Sequence, residues 1–277
     1  MSLVTKLKKR FSKQEGLEDL LSMSEHWDGY KRENAVRRLG MLGNPLAIQK
    51  LLVRVNDWVP EVRVAARESI LKLAITENTE AFIHYLPGLY HLRTCGRGDH
   101  RVFIEAIETF LSDNESSNVL IQGLDNEDPL VVRHCMSLII RHDLLATETI
   151  VQKCLDHSDV VVRVRASGLL RKLNGEILES ALSKALIDRF MPIRREAFQI
   201  AIKHSAYSKD LPEKFLFDRH PSIRGLAIRF LVKNGVDVKT IYLRNLKSIE
   251  TKILRCVIWG LGELNCSECI SSIKGFL

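Results

Sequence analysis

The chain has 277 residues, a net charge of +7 and 45% hydrophobic residues, of which few are aromatic (6% of the chain). Leu, Ile, Val and Ala therefore carry the apolar load, which favours interlocking helices, and 7 prolines and 15 glycines are too few for the many tight turns of an all-β protein. No run of 18 apolar residues is present, which excludes a transmembrane helix, and the six cysteines lie scattered in apolar helical text, reading as free thiols of a reducing compartment, hence a cytoplasmic protein.

The first fifteen residues are basic, with Leu3, Val4, Leu7 and Phe11 at helical spacing between Lys6, Lys8, Lys9 and Arg10. They read as a capping helix or arm; peripheral contact with anionic lipid is the weaker alternative. From residue 16 to 264 one short pattern recurs. An apolar β-branched residue precedes an Arg, and an Ala usually follows three residues later. It stands at Val62-Arg63 with Ala66, Val132-Arg133, Val162-Arg163 with Ala166, Ile193-Arg194 with Ala197, and Ile223-Arg224 with Ala227. Looser copies fall at Arg32, Arg101 and Lys252. The basic positions succeed one another at intervals of 31, 38, 32, 30, 31, 30 and 28 residues, so about eight units are expected.

Each unit reads as a helical pair. Short first helices are expected at Pro45–Val55, Ser117–Gly123, Thr147–Leu155, Ile177–Ile187 and Val238–Leu246. A break rich in Asp, Asn, His or Pro follows, then a longer second helix that carries the Arg. Asp and Pro suit this break because Asp caps a helix start and Pro fits its first turn. Asp57, Asp188 and Asp218 each stand six residues before their Arg. Residues 265–277 read as a terminal capping helix.

The succession Asp, Pro, Val/Ile-Arg and Ala resembles the HEAT-like repeat family, in particular the short bacterial type also found in bilin lyases. The resemblance spans nearly the whole chain. It implies an all-α fold, an α-solenoid of about eight HEAT-like helical hairpins. It also implies a ladder between neighbouring repeats, to which Asp57, Arg63, Arg133, Arg163, Asp188, Arg194, Asp218 and Arg224 belong, while Arg101 and Lys252 lack an Asp six residues earlier.

On a helical wheel, positions one, five and eight after the motif Arg point away from the core. They hold His134, Arg141, Arg171, Arg195, Gln199 and Arg229, with Lys172, Lys203 and Lys233 on the flank. In HEAT-like arrays the second helices line the concave surface, so these residues are expected to form a basic stripe there. Residues 129–260 contain 23 Lys and Arg against 13 Asp and Glu, whereas residues 25–128 contain 12 against 16. A concentrated positive surface attracts acidic proteins or phosphate backbones.

The third unit is long, and its extra residues fall at His91–Arg101. They read as a surface loop; His91, Cys95, Asp99 and His100 match no zinc spacing. The C-x-x-C of Cys266 and Cys269 has no second pair and is weak as a metal or redox motif. Trp27 and Trp58 are expected to pack at repeat junctions and Trp259 in the core. There is no P-loop, G-x-G-x-x-G, H-E-x-x-H or G-x-S-x-G, and no His-Glu dipeptide such as the HEAT-like hydroxylases use for iron. The expectation is a non-enzymatic scaffold, without cofactor, for an acidic protein or peptide. The alternative is nucleic-acid binding in the manner of the HEAT-like DNA glycosylases, although no Trp/Asp cluster of their kind is evident.

Overall fold

The computed structural model describes residues 16–203 and 210–264; the expected N-terminal arm, the C-terminal cap and the Cys266/Cys269 pair lie outside the described residues. The described residues are all helical, with no strand. They divide into two compact units that part at Cys154 and Leu155.

The first unit contains α1 (Leu17–Met23), α2 (Gly29–Leu42), α3 (Ile48–Arg54), α4 (Pro60–Leu73), α5 (Thr79–His84), α6 (Leu86–His91), α7 (Arg101–Ser112), α8 (Asn114–Gln122), α9 (Pro129–Arg141) and α10 (Thr147–Cys154). The second contains α11 (Val160–Gly168), α12 (Gly175–Ala185), α13 (Met191–Ala201), α14 (Asp210–Phe215), α15 (Pro221–Lys233), α16 (Val238–Arg244) and α17 (Thr251–Glu263). The expected first helices all appear, within one to three residues of the predicted ends, and some begin or end in a short 3₁₀ turn.

Within each unit a helix packs on its partner in the hairpin and on its counterpart in the next hairpin, as α4 does on α3 and α2, and α13 on α12 and α11. The shared face is the apolar stripe: Val36 and Leu39 on α2, Val62, Ala66 and Ile70 on α4, and Ile193, Ala197 and Phe198 on α13 are all buried. Small residues set the spacing. A Cβ placed on Gly40 would lie 2.8 Å from the Ser69 Cα, so α2 and α4 meet backbone against side chain and Gly40 has no room to grow. At the end of α2, Gly43 takes φ 69°, the left-handed conformation that stops the helix cheaply.

One local device starts nearly every second helix. Three residues before the helix, a short polar side chain accepts a hydrogen bond from the backbone N–H two residues on. His26 Nδ1 accepts from Asp28 at 3.0 Å, Asp57 from Val59 at 3.0 Å, Asn126 from Asp128 at 2.8 Å and His157 from Asp159 at 3.0 Å. Asp188 accepts from Phe190 at 2.6 Å, Asp218 from His220 at 2.7 Å and Ser248 from Glu250 at 3.2 Å. The turn satisfies an N–H that the helix itself cannot pair and fixes where the helix begins. The eighth member, in front of α7, is Gly98, which has no side chain to offer.

Candidate binding surface

The turn sets the register of an Arg on the fourth residue of the helix: Arg32, Arg163, Arg194 and Arg224, which are buried, and Arg63, which is half-buried. Its Nη1 reaches back and donates to carbonyls five and six residues earlier. Arg32 donates to Trp27 and His26, both at 2.8 Å, and Arg63 to Trp58 at 3.1 Å and Asp57 at 2.8 Å. Arg163 donates to Ser158 and His157, both at 2.9 Å, and Arg194 to Arg189 at 3.1 Å and Asp188 at 2.7 Å. Arg224 donates to Asp218 at 3.1 Å.

The other edge of the guanidinium faces the next hairpin. Arg32 Nε and Nη2 donate to Asp57 at 3.1 and 2.8 Å, and Arg194 to Asp218, both at 2.9 Å. Arg163 Nε donates to Asp188 at 2.8 Å. These are three closed rungs between consecutive hairpins. Burial works against ionisation of Asp57, but hydrogen bonds from Arg32 and the Val59 N–H, with the charges of Arg32 and Arg54, outweigh it and hold the carboxyl below its usual range. Asp188 is held low in the same way by Arg163 and the Phe190 N–H.

Two rungs are open. Arg63 faces Gly98, whose added Cβ would lie 3.8 Å from Arg63 Nε and 3.4 Å from Arg67 Nη2. Arg224 faces the hairpin whose turn residue is Ser248. One ladder expectation, Arg133, needs correction, and Arg101 and Lys252, which lack the preceding Asp, also stand off the ladder position. Arg101 is the first residue of α7, exposed and paired with Asp99 at 2.7 Å; the ladder position there is the buried Ile104. Arg133 lies one residue beyond the ladder position, which the fully buried Val132 fills, because the Asn126 turn starts α9 at Pro129. Lys252 is the exposed second residue of α17, and Leu254 takes its place.

The residue five before Arg32, Arg63, Arg163 and Arg194 is held by its carbonyl, whereas Arg219, five before Arg224, instead donates its own guanidinium to the Asp188 and Arg189 carbonyls. In the first unit this residue is Trp27 and Trp58, which are 81% and 67% exposed. Neither is packed away at a junction as expected: the Trp27 ring leans on His26 and the Trp58 ring sits 5.5 Å from the Arg32 guanidinium. In the second unit the same position holds Ser158, Arg189 and Arg219, all exposed. Trp259 is also not a core residue; it is half exposed, with the Arg224 guanidinium 5.0 Å from its ring centre.

Beside Trp58 a cleft of about 590 Å³ is lined by Val53, Arg54, Tyr85, His91 and Arg97, among others. Its far wall is the extra segment of the third repeat, which is folded back and not a free loop. The Arg97 N–H donates to the Asn56 side chain at 3.2 Å, and Arg67 donates to the Asp99 carbonyl at 3.0 Å. His100 is buried between them, and burial, then the positive charge of Arg67, push its pKa down. Among the described residues no three His, Cys, Asp or Glu side chains gather as a metal site.

A second cleft, of about 730 Å³, lies on the other side of that segment, where Glu108 is a hub. It accepts from the Tyr90 hydroxyl at 2.6 Å, from Arg93 at 2.9 Å and from Arg141 at 2.6 Å. Burial and the Glu108 carboxylate raise the Tyr90 phenol well above its usual value. His134 stacks on the Tyr90 ring at 4.4 Å. Thus His134 and Arg141, expected in the basic stripe, belong to this cluster. Sequence reading missed it because Tyr90, Glu108, His134 and Arg141 share no motif or period.

In the second unit Arg195, Arg229, Lys172, Lys203 and Lys233 are exposed and form no ion pair among the described residues, and Gln199 is half buried. Arg171 is exposed but paired with Glu196 at 2.6 Å. Arg171 and Lys172 do not ride on α11. That helix ends at Gly168, and both residues lie in a 3₁₀ turn, Leu170–Lys172, so the wheel does not extend to them. The thiols of Cys135 and Cys154 are buried, which pushes them up to about 12 and about 11, so neither is a ready nucleophile.

No family model matches the chain, and no curated protein does. Two solved structures that it resembles are engineered proteins, each 14% identical. One match covers 91% of this chain and 98% of the other with a TM-score of 0.27; the second covers 88% and 67% with a TM-score of 0.30. A likeness at that level carries no argument about the architecture or the function. What stands is an all-helical chain, none of whose described helices is long and apolar enough to cross a membrane.

Proposed function

We propose that the chain is an α-solenoid of about eight HEAT-like hairpins that acts in the cytoplasm as a non-enzymatic scaffold for a protein or peptide partner. The observation that carries this reading is the pair of exposed indoles, Trp27 and Trp58, each on a backbone segment whose carbonyls accept from an Arg, the buried Arg32 for Trp27 and the half-buried Arg63 for Trp58. Large aromatics held rigid in water lose little conformational freedom on binding and are the residues that anchor interfaces. The cleft beside Trp58 offers apolar wall from Val53 and Tyr85 with Arg97 and His91 at its rim, which suits a peptide with an apolar anchor next to an acidic side chain. Affinity purification of the full chain, followed by the same experiment with Trp58→Ala, tests it. A partner retained equally by both proteins would refute the Trp58 surface.

Nucleic-acid binding is the second reading, and the exposed cations Arg195, Arg229, Lys172, Lys203 and Lys233, which form no ion pair among the described residues, favour it. Phosphate-driven binding weakens steeply with salt. A gel shift with duplex and single-stranded DNA at low salt that finds no complex would remove this reading.

A further inference from the structure

The ladder ends in a vacancy whose shape is known. In every closed rung the Arg Nε donates to an Asp: Arg32 to Asp57, Arg163 to Asp188 and Arg194 to Asp218. Arg224 holds the same pose, its Nη1 on the Asp218 carbonyl at 3.1 Å. It is 1% exposed, and its Nε has no hydrogen-bond partner among the described residues. A buried guanidinium donor left unmade is costly, more so than a neutral one. The face of Trp259 offers the cation some compensation, but the ring provides no acceptor for Nε.

Ser248 occupies the place of the absent Asp by three independent measures. It lies three residues before α17, as Asp57, Asp188 and Asp218 lie before α4, α13 and α15. Its Oγ accepts the N–H of the residue two on, as their carboxylates do. It follows Arg224 by 24 residues, the separation of Arg194 and Asp218. What it lacks is charge and a second oxygen. A single neutral hydroxyl, already accepting from Glu250, cannot serve a guanidinium edge. The segment is also within reach of a modifying enzyme: Ser248 is partly exposed, and the next residue, Ile249, is fully exposed.

We propose that Ser248 is a phosphorylation site and that its phosphoryl group closes the rung to Arg224. The transfer is the ordinary one. A protein kinase moves the γ-phosphoryl group of a nucleoside triphosphate to Ser248 Oγ. The new Oγ–P bond forms as the bond to the nucleoside diphosphate breaks, and the hydroxyl proton leaves to the kinase's base. The product carries close to two negative charges and three acceptor oxygens at pH 7. Those oxygens sit at the start of α17, a 13-residue helix whose N-terminus favours an anion, with Lys247 and Lys252 nearby in sequence and Glu250 the opposing charge. Phosphorylation of this serine thereby turns an open rung into a closed one and tightens α17 onto α15.

The test is the full chain with phosphoserine installed genetically at position 248. Thermal unfolding should rise by about 2–4 °C over the unmodified protein, and the gain should vanish when Arg224→Lys removes the Nε donor. An equal gain in both backgrounds, or none in either, overturns the proposal. Should Arg224→Lys fail to fold, a ³¹P titration of the phosphoserine protein decides alone. Pairing with Arg224 places its second pKa below that of the same chain unfolded in urea, whereas identical values overturn the proposal. Inorganic phosphate is added to the unmodified protein as a third arm. An unchanged Tm there supports the assignment to Ser248, and a matching rise would place the oxyanion in solution and overturn it.

Discussion

The two units of the molecule use one clamp to display different chemistry. In both, an Arg on the fourth residue of a second helix grips the carbonyls of the preceding turn. In the first unit the clamped turn presents Trp27 and Trp58, and in the second it presents Ser158, Arg189 and Arg219. Where the gripping residue is an Arg, its hydrogen bonds to the turn carbonyls mean that changing it would leave polar groups unpaired. The displayed residue varies because the Arg grips the turn through backbone carbonyls, which every residue type supplies. The clamp is thus structural, and the side chain beside it is where binding preference is set.

The sharpest way to break that comparison is to remove a clamp. Asp57→Ala strips the carboxylate from a rung whose side chains are 3% and 1% exposed and leaves Arg32 buried without its counter-ion. The expected loss is about 3–5 kcal/mol by urea unfolding. The second unit's rung of Arg194 and Asp218 is slightly wetter, at 5% and 11%, so Asp218→Ala should cost less. Equal costs would mean that burial does not set the strength of the rung.

Next in size is the display. Trp58→Ala should weaken partner binding by about 2 kcal/mol, the scale of an interface anchor, while moving stability by less than about 0.5 kcal/mol because the side chain is exposed. A variant that unfolds instead would show that Trp58 belongs to the core. The double reversal Arg195→Glu and Arg229→Glu should leave peptide binding through Trp58 intact and reduce any nucleic-acid affinity, flattening its salt dependence by about one unit of slope per lost phosphate contact. Isothermal titration with each ligand separates the two effects.

The smallest expected effect is in acid. The folded-state pKa values of Asp57 and Asp188 lie below those of the unfolded chain. The stability they contribute is therefore complete above the ordinary carboxylate value of about 3.9. It is lost as the pH falls through the lower folded values. The drop in urea midpoint between pH 6 and pH 3 should shrink in Asp188→Asn, and an unchanged drop would show that this rung does not couple folding to protons.

Much of this was legible before any coordinates. The period, the hairpins, and the ladder members Asp57, Asp188 and Asp218 with Arg163, Arg194 and Arg224 follow from local pattern, because helix capping and the apolar stripe act over a few residues. The errors share a cause. Arg133 fits the motif by eye, yet one residue of register, set by the turn at Asn126, puts Val132 in its place. The helical wheel places Arg171 on a helix that ends at Gly168. Trp27 and Trp58 read as packing at repeat junctions and Trp259 as core, until their neighbours are known.

The amino-acid pattern alone determined that the chain is helical, repeats about every thirty residues, and concentrates positive charge after residue 129, since each of these is a property of segments or of composition. Tertiary structure decided which cations are spent and which remain. Arg141 is bound to Glu108 and Arg171 to Glu196, while Arg195 and Arg229 form no ion pair among the described residues. It also decided that Arg224 faces Ser248's hairpin with its Nε unmet. Such facts depend on partners some 25 to 35 residues away, and only the packing of one hairpin on the next brings those groups within hydrogen-bonding distance.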